Sequence, residues 1–238
     1  MKDTPEYPIA PFIVGLSRSG TTLLRVMLDA HPLLAIPTGT FFIPTLMKMC
    51  RSSPDPAATF LSCIVEHWKW PDFHLDRRVL ETEIRSLVPF DLSEAFRIFY
   101  RLCASRFSKP RWGDKSAYLW DMVTVQEALP EAAFVHIIRD GRDVALSVLR
   151  QHFGPSTIPE AATWWSSGIG RARVQAGQLR RYIQVSFEDL VNEPEQVLRR
   201  FARLLNYRSP PICCTTSDRA ASAWPRWCRC MIQQPHAS

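Results

Sequence analysis

The stretch Phe12-Ile-Val-Gly-Leu-Ser-Arg-Ser-Gly-Thr-Thr22 decides the fold of this chain. Its apolar start predicts a buried strand, its two glycines predict a tight turn, and the apolar spacing after Thr21 predicts a helix as far as Ala30. Glycines allow successive backbone N–H groups to converge on an anion, and the N-terminus of a helix adds partial positive charge. The segment therefore predicts a phosphate-binding loop at the end of a strand.

The glycine spacing of residues 15–22 matches the G-x-x-x-x-G-K-[ST] loop of nucleoside triphosphatases, with one departure. Thr21 stands where that loop has a lysine, which reaches the terminal phosphates of a triphosphate. Arg18 supplies a positive charge inside the loop, and Ser19, Thr21 and Thr22 add hydroxyl donors. We therefore expect a shorter anion such as a 5′-phosphosulfate and rank a kinase or nucleoside triphosphatase lower. A strand, turn and helix without a ligand can show the same spacing.

A second segment also combines a strand with anion-binding residues. Ala133-Phe-Val-His-Ile-Ile138 predicts a buried strand, with Arg139 at its exit and Ser147 two turns into the next helix. An arginine at that edge can pair with a phosphate. Taken alone, Arg139-Asp140 and Arg142-Asp143 also fit two surface ion pairs.

Strands alternate with helices along the rest of the chain. Tyr182-Ile-Gln-Val185 predicts a third strand, and four helical segments between residues 42 and 107 predict a helical insertion. The alternation predicts a three-layer α/β fold like that of P-loop NTPases, with a central parallel sheet. Residues 1–207 are assigned to this domain. Residues 208–238 lack helical and strand periodicity, so we interpret them as an atypical tail, with poor order as one interpretation.

The composition favours one domain with an anionic ligand. The chain has 238 residues, and its 46% of hydrophobic residues suffices for a substantial core. The net charge of +6 suits a nucleotide phosphate, whereas no basic tract with interleaved aromatic residues indicates nucleic acid as a partner. No apolar stretch has the length of a signal peptide or a membrane span, so we expect a cytoplasmic protein.

Seven cysteines raise the question of disulfides or zinc. The odd number, without an export signal, argues against a disulfide framework. Four of them form CC and CxC pairs instead of paired CxxC motifs, and no nearby histidine has ligand spacing; they are Cys213, Cys214, Cys228 and Cys230. We therefore expect no metal, with zinc as the weaker alternative.

The stretch from Phe12 to Pro32 resembles the 5′-phosphosulfate-binding segment of sulfotransferases that use 3′-phosphoadenosine 5′-phosphosulfate (PAPS). It is particularly similar to tyrosylprotein sulfotransferases and their bacterial relatives. The segment Phe134–Ser147 resembles the 3′-phosphate-binding motif of the same family. Val185-Ser-Phe-Glu-Asp-Leu190 resembles its Tyr-Glu-Asp-Leu stretch, with Phe187 in place of the tyrosine.

The resemblance implies a role for each matching residue. The positions that it implies for donor binding are Arg18, Ser19, Gly20, Thr21, Thr22, Arg139 and Ser147. Lys115, in Trp112-Gly-Asp-Lys-Ser116, stands where the family has a lysine thought to stabilise the leaving phosphate, so Lys115 and Arg18 are the catalytic candidates. An exposed lysine at the start of a helix also fits this stretch.

The catalytic base is missing from the resemblance. Relatives have a glutamate shortly after the His-Pro, and Gly39, in Pro37-Thr-Gly-Thr40, stands at that position. Because glycine cannot take a proton, either another group serves or the enzyme is impaired. The alternative bases, all without matching spacing, are Asp114, Glu66, His67, Asp72 and His74. Loss of a general base costs about 10²–10⁴ in rate, and an acidic acceptor such as a phenol suffers less.

The sequence thus predicts transfer of a sulfuryl group from PAPS to the hydroxyl of a small molecule or peptide, without a metal. A phenol is one candidate acceptor. The alternative is a protein of the same fold that binds PAPS or its product 3′,5′-bisphosphoadenosine (PAP) with impaired catalysis.

Overall fold

A computed structural model describes residues 7–205 as strands that alternate with helices. The strands are β1 (Ala10–Val14), β2 (Leu34–Ala35), β3 (Arg111–Trp112), β4 (Asp114–Lys115), β5 (Ala132–Ile138) and β6 (Tyr182–Ser186). The α-helices are α1 (Thr21–Asp29), α2 (Ile43–Arg51), α3 (Pro56–Val65), α4 (Trp70–Phe73), α5 (Arg77–Arg85), α6 (Leu92–Ser105), α7 (Met122–Ala128), α8 (Gly141–Val148), α9 (Ile158–Ala176), α10 (Phe187–Asn192) and α11 (Pro194–Leu204). A 3₁₀ helix spans Tyr118–Trp120.

Four parallel strands form the central sheet in the order β4-β1-β5-β6. From β1 the chain crosses to β4 on one side and then returns past β1 to β5 and β6 on the other. The carboxyl end of β1 therefore lies where the connections diverge, which is the place where open parallel sheets bind ligands. The segments that follow all four strands meet at this edge.

The sheet is the middle of three layers. Side chains alternate between its two faces, so Phe12 and Phe134 pack on the helical insertion and α9, while Ile13 and Val135 pack on α1 and α11. Both faces are thus buried, as an all-parallel sheet requires. The predicted three-layer α/β fold with a central parallel sheet and a helical insertion is confirmed.

The structure differs from the prediction around residue 113. There the chain forms β3, which pairs with β2, and then β4, which pairs with β1 in the main sheet. Lys115 therefore lies in a short strand and is half-buried, so the interpretation as an exposed lysine at a helix start is wrong. Strands of two residues are too short for a hydrophobic period. The helix predicted near Tyr118–Ala128 is also divided, since a 3₁₀ turn precedes α7.

A buried polar network holds the segment after β2 against β4. The Thr40 hydroxyl donates to Asp114 Oδ1 at 3.1 Å and lies 2.7 Å from the Tyr118 hydroxyl and 3.2 Å from the Tyr100 hydroxyl. The Thr40 backbone N–H donates to Ser116 Oγ at 2.7 Å. Ser116 Oγ also lies 3.3 Å from the Thr40 hydroxyl, which is therefore surrounded by four polar side chains. The network fixes the position of Gly39 and Phe41 on either side of Thr40.

Asp114 makes the stability of this network depend on pH. Burial raises the pKa of its carboxyl to about 6, and the hydroxyls of Ser116, Thr40 and Tyr100 offset part of that effect. An aspartate in an unfolded chain has a pKa of about 3.9. The folded protein therefore keeps a proton that the unfolded chain releases, and the free energy of unfolding falls as the pH rises from about 4 to about 6.

We expect Asp114→Asn to remove this fall, which amounts to about 2–3 kcal/mol for a shift of this size. Urea unfolding at the two ends of the window measures it. Asp189→Asn, which changes an exposed carboxyl on α10, is the control and should keep the pH dependence of the wild type. An Asp114→Asn variant with the wild-type pH dependence contradicts the assignment.

Candidate functional site

The loop between β1 and α1 contains two residues with left-handed backbone conformation. Arg18 has a φ of 73° and Gly20 a φ of 92°. Between them, the Ser19 N–H donates to the Leu16 carbonyl at 3.2 Å and closes the turn. A Cβ on Gly20 would lie 2.3 Å from the Phe187 ring, so this position needs glycine for its space as well as its φ. Turns of this kind direct their N–H groups into a concave anion-binding surface.

Hydrogen-bond donors without partners surround this loop. Gly20 caps α1 without a side-chain bond, so no cap side chain satisfies the first N–H groups of the helix. Ser19 Oγ is buried and finds no hydrogen-bond partner among the described residues. Within residues 7–205 the hydroxyls of Thr21 and Thr22 also make no hydrogen bond. Unpartnered polar groups are costly in a protein interior, and an anionic ligand satisfies all of these donors at once.

The structure brings the two predicted donor-binding segments together. Arg18 Nε donates to Ser147 Oγ at 2.9 Å, across 129 residues of sequence. Arg139 Nη1 donates to the Arg18 carbonyl at 3.5 Å. Residues predicted from separate motifs thus form one polar surface at the carboxyl ends of β1 and β5.

The side chain of Arg139 is held by contacts that the sequence did not reveal. Its Nη2 lies 3.1 Å from Asp143 Oδ2, and its guanidinium carbon lies 4.6 Å from the centroid of the Phe187 ring. Arg142 pairs instead with Asp140 at 2.6 Å. The two arginines have therefore exchanged partners relative to the pairs Arg139–Asp140 and Arg142–Asp143 that the sequence suggested. Arg139 Nε is buried and has no partner in the described part of the chain, which leaves one guanidinium donor for a ligand.

Phe187 belongs to the site, although the sequence marked it only as a substitution. Its ring contacts both Gly20 and Arg139, so it forms one wall between the loop and the arginine. It begins α10, a six-residue helix that the sequence analysis did not predict. The only sequence signal for it was its place in the Val185–Leu190 stretch.

Lys115 lies at the carboxyl end of β4, in register with Ile13 of β1. Within residues 7–205 its ammonium group makes no hydrogen bond or ion pair. Burial lowers the pKa of Lys115, the neighbouring carboxylate of Asp114 opposes this, and Arg25 and Lys69 lower the pKa further. Cations that crowd a half-buried lysine are typical of a site for an anion.

Gly39 lies directly beside Lys115. A Cβ on Gly39 would lie 2.7 Å from the Lys115 carbonyl oxygen and 2.6 Å from Cε2 of the Phe41 ring. The position that resembles the family's glutamate is thus next to the predicted catalytic lysine, but no side chain fits there without movement of its neighbours. Asp114 is completely buried within the Thr40 network, so it has no access to an acceptor.

The other candidate bases are poorly suited to proton abstraction. The Nδ1 atom of His67 accepts the Lys69 N–H at 3.2 Å. Burial lowers the pKa of His67, as does Lys69, so the ring is neutral and its proton lies on Nε2. Asp72 is paired with Lys69 Nζ at 2.7 Å. Glu66 and His74 are exposed at the ends of α3 and α4.

Some sequence predictions fall outside the described residues. The tail at 208–238, with its four cysteines, is one of them, and so is the domain boundary at residue 207. Between residues 7 and 205 no cluster of three or more His, Cys, Asp or Glu side chains is arranged to hold a metal ion. In the same part of the chain, no helix combines the length and hydrophobicity needed to cross a membrane.

Comparison with known proteins identifies the family to which this chain belongs. Residues 10–211 match the model of the sulfotransferase family. The chain is 27% identical over 208 residues to the protein-tyrosine sulfotransferase of Drosophila melanogaster, an alignment that covers 84% of this chain and 38% of that protein. It is 28% identical over 210 residues to protein-tyrosine sulfotransferase A of Caenorhabditis elegans, covering 82% and 49%. The chain thus spans about half or less of the length of these two curated relatives.

Solved structures share the fold. The sulfotransferase domain from the curacin biosynthetic pathway superposes with a TM-score of 0.60 at 21% identity, over 90% of this chain and 80% of that one. The sulfotransferase domain of the Synechococcus PCC 7002 olefin synthase gives 0.59 at 21% identity, over 93% and 83%. The family model covers both predicted donor-binding segments and Lys115, and on that match the chain belongs to the sulfotransferase family.

Proposed function

We propose that this protein transfers a sulfuryl group from PAPS to a hydroxyl acceptor. The observation that carries the proposal is the contact between Arg18 and Ser147, with Arg139 beside them. PAPS has a 5′-phosphosulfate and a 3′-phosphate, and this contact joins the segments that suit the two anions. Family membership supports the same reaction class.

The donors in the site fit both ends of PAPS. The 5′-phosphosulfate is assigned to the N–H groups at the start of α1 and to the hydroxyls of Ser19, Thr21 and Thr22. The 3′-phosphate is assigned to Arg139 and Ser147. Arg18 binds Ser147 through Nε, and no residue between 7 and 205 bonds to its Nη groups, so both remain for phosphate oxygens.

Lys115 is the group best placed to assist the transfer. Its ammonium has no counter-ion within the described chain and lies at the sheet edge where β1 delivers the phosphate loop. A cation there stabilises the charge that develops on the leaving phosphate, and Arg18 adds to this from the loop. The chain supplies position and charge, which are the main requirements of such a transfer.

Phenols, including tyrosine side chains, are the acceptors that we favour. Similar proteins are protein-tyrosine sulfotransferases, and a phenol is the hydroxyl that loses its proton most readily. A cytoplasmic location and independence from metal ions also remain proposals. Sulfuryl transfer at the same rate with and without EDTA would support independence from metal ions.

Thermal denaturation with PAP, ADP and ATP tests the donor site. We expect PAP to raise the Tm more than ADP does, because only PAP carries the 3′-phosphate. Arg139→Ala should weaken PAP binding about 10- to 100-fold, which corresponds to the loss of a charge-assisted hydrogen bond. Arg199→Ala, which breaks an exposed ion pair on α11, is the control and should bind PAP like the wild type.

Equal Tm shifts with PAP and ADP, unchanged by Arg139→Ala, contradict this donor site. Tight binding of ATP with hydrolysis favours a nucleoside triphosphatase instead. PAP binding without transfer to any acceptor favours the impaired binding protein.

Lys115→Ala tests the role in transfer. We expect kcat to fall about 10²–10³-fold, because a preorganised cation at the developing charge is lost. PAP release with a phenolic acceptor measures kcat, and the thermal shift with PAP should stay close to that of the wild type. Lys48→Ala removes an exposed lysine on α2 and serves as the matched control. A kcat within twofold of the wild type rules out a catalytic role for Lys115.

A further inference from the structure

Two exposed aromatic rings form a stack beside Lys115. The rings of Phe41 and Trp68 lie 6.1 Å apart, measured between centroids, with an angle of 28° between their planes. Phe41 is 37% exposed and Trp68 is 70% exposed. Lys69 Nζ lies 4.6 Å from the centroid of the Trp68 ring. Large apolar rings that stay exposed next to each other are typical of a binding surface.

The position of this aromatic stack is imposed by its surroundings. Phe41 has a φ of 59°, a conformation that is strained for a residue with a bulky side chain. Its N–H donates to Ser116 Oγ at 3.4 Å, and its ring lies against Gly39. Strain that neighbouring hydrogen bonds enforce is concentrated at functional sites. Here it leaves the Phe41 ring partly exposed and next to Gly39, which lies beside the Lys115 carbonyl.

The base of the aromatic stack reaches the hydrophobic core. The His67 ring lies 5.7 Å from the Trp68 ring and also 5.7 Å from the ring of Phe42, which is fully buried. Trp68 is therefore exposed on one side and supported on the other. A planar ligand would stack on the part of the Trp68 ring that Phe41 and Lys69 leave open.

The charges around the aromatic stack are positive. Arg25 on α1 and Lys69, the residue before α4, both act electrostatically on Lys115 of β4. Of the nearby carboxylates, Asp114 is buried and Asp72 is paired with Lys69. A phenol hydroxyl between the aromatic stack and Lys115 would thus lie in a field to which these cations contribute. An opposite charge within about 4–6 Å lowers the pKa of an acidic group by about 1–3 units.

We propose that Phe41 and Trp68 dock the ring of a phenolic acceptor, and that this acceptor reacts as a phenolate formed without a carboxylate base. The proposal rests on the proposed function and adds to it the residues that dock the acceptor and the way in which the acceptor is ionised. Gly39 leaves no room for a base, and the field of Lys115, Arg25 and Lys69 replaces it by favouring the ionised acceptor.

The reaction is balanced as follows. The phenol gives its proton to bulk water. The phenolate oxygen then forms a bond to the sulfur of PAPS, while the bond between sulfur and the 5′-phosphate oxygen breaks. The electron pair of the broken bond leaves with PAP. The products are an aryl sulfate, PAP and one proton, and no oxidant or further reactant is needed.

This mechanism selects acidic phenols. At pH 7 about one molecule in a thousand of a phenol as weakly acidic as tyrosine is ionised in water. Without a base, kcat/KM should fall by almost tenfold for each unit by which the phenol pKa exceeds the assay pH. It should level off for phenols that are ionised already. Aliphatic alcohols should not react measurably.

The decisive measurement is kcat/KM for a series of ring-substituted phenols at saturating PAPS and several pH values. The phenolate mechanism is supported if kcat/KM falls steeply with phenol pKa above the assay pH and levels off below it. A flat dependence across the series indicates a general base and overturns it. The pH dependence of kcat for one phenol reports the pKa of the bound phenol, so Lys69→Met should shift that profile to higher pH, because one cation near the acceptor is lost; an unshifted kcat profile counts against the field as the cause.

Trp68→Ala tests the docking surface. We expect KM for the phenol to rise about tenfold, because one stacked ring is lost, whereas the thermal shift with PAP stays unchanged. Trp68→Phe keeps an aromatic ring at this position, so its KM for the phenol should stay close to that of the wild type. Phe107→Ala is the matched control, because Phe107 is also exposed and has Arg106 above its ring at 5.3 Å.

The outcomes separate this proposal from the proposed function. A wild-type protein that neither binds PAP nor transfers sulfate contradicts the proposed function. A wild-type protein that sulfates phenols, with a KM unchanged in Trp68→Ala, leaves the proposed function standing and overturns the docking surface.

Discussion

Both edges of β1 are occupied by parallel partners, and every part of the site depends on that pairing. β4 binds one edge, with Ile13 opposite Lys115, and β5 binds the other, with Val14 opposite His136. In parallel strands all chain exits lie at the same edge of the sheet. The phosphate loop, the lysine and the arginine segment therefore converge because three strands share one register. Their separation along the sequence is irrelevant to this geometry.

The site concentrates positive charge and compensates it only in part. Arg139 is paired with Asp143, whereas Lys115 has no counter-ion within residues 7–205. A folded protein accepts such a cluster because the Thr40 network and the sheet hold it in place. Stability is thus sacrificed locally in favour of a site that attracts anions.

The sequence predicted those parts of the site that follow long regular elements. Arg18 to Thr22 follow a strand whose five residues are all buried, and Arg139 follows one of seven residues, so apolar runs located both loops. Lys115 was found only through the family resemblance, because two-residue strands leave no period to detect. The Phe41–Trp68 stack depends on a positive φ and on packing between distant segments. Neither property has a local sequence signal. The partners of Arg139 and Arg142 are set by helix geometry, which the order of residues in the sequence does not show.

The hydrogen bond between Arg18 and Ser147 has a thermodynamic consequence for recognition. A free arginine side chain loses about 1.5–2 kcal/mol of rotamer entropy when it is immobilised. In this protein the guanidinium is already restrained by Ser147 through Nε. Much of the ordering therefore takes place during folding, and less of it remains for the moment of ligand capture. The Arg18 side chain is thus partly ordered in advance for the anion that we propose it binds.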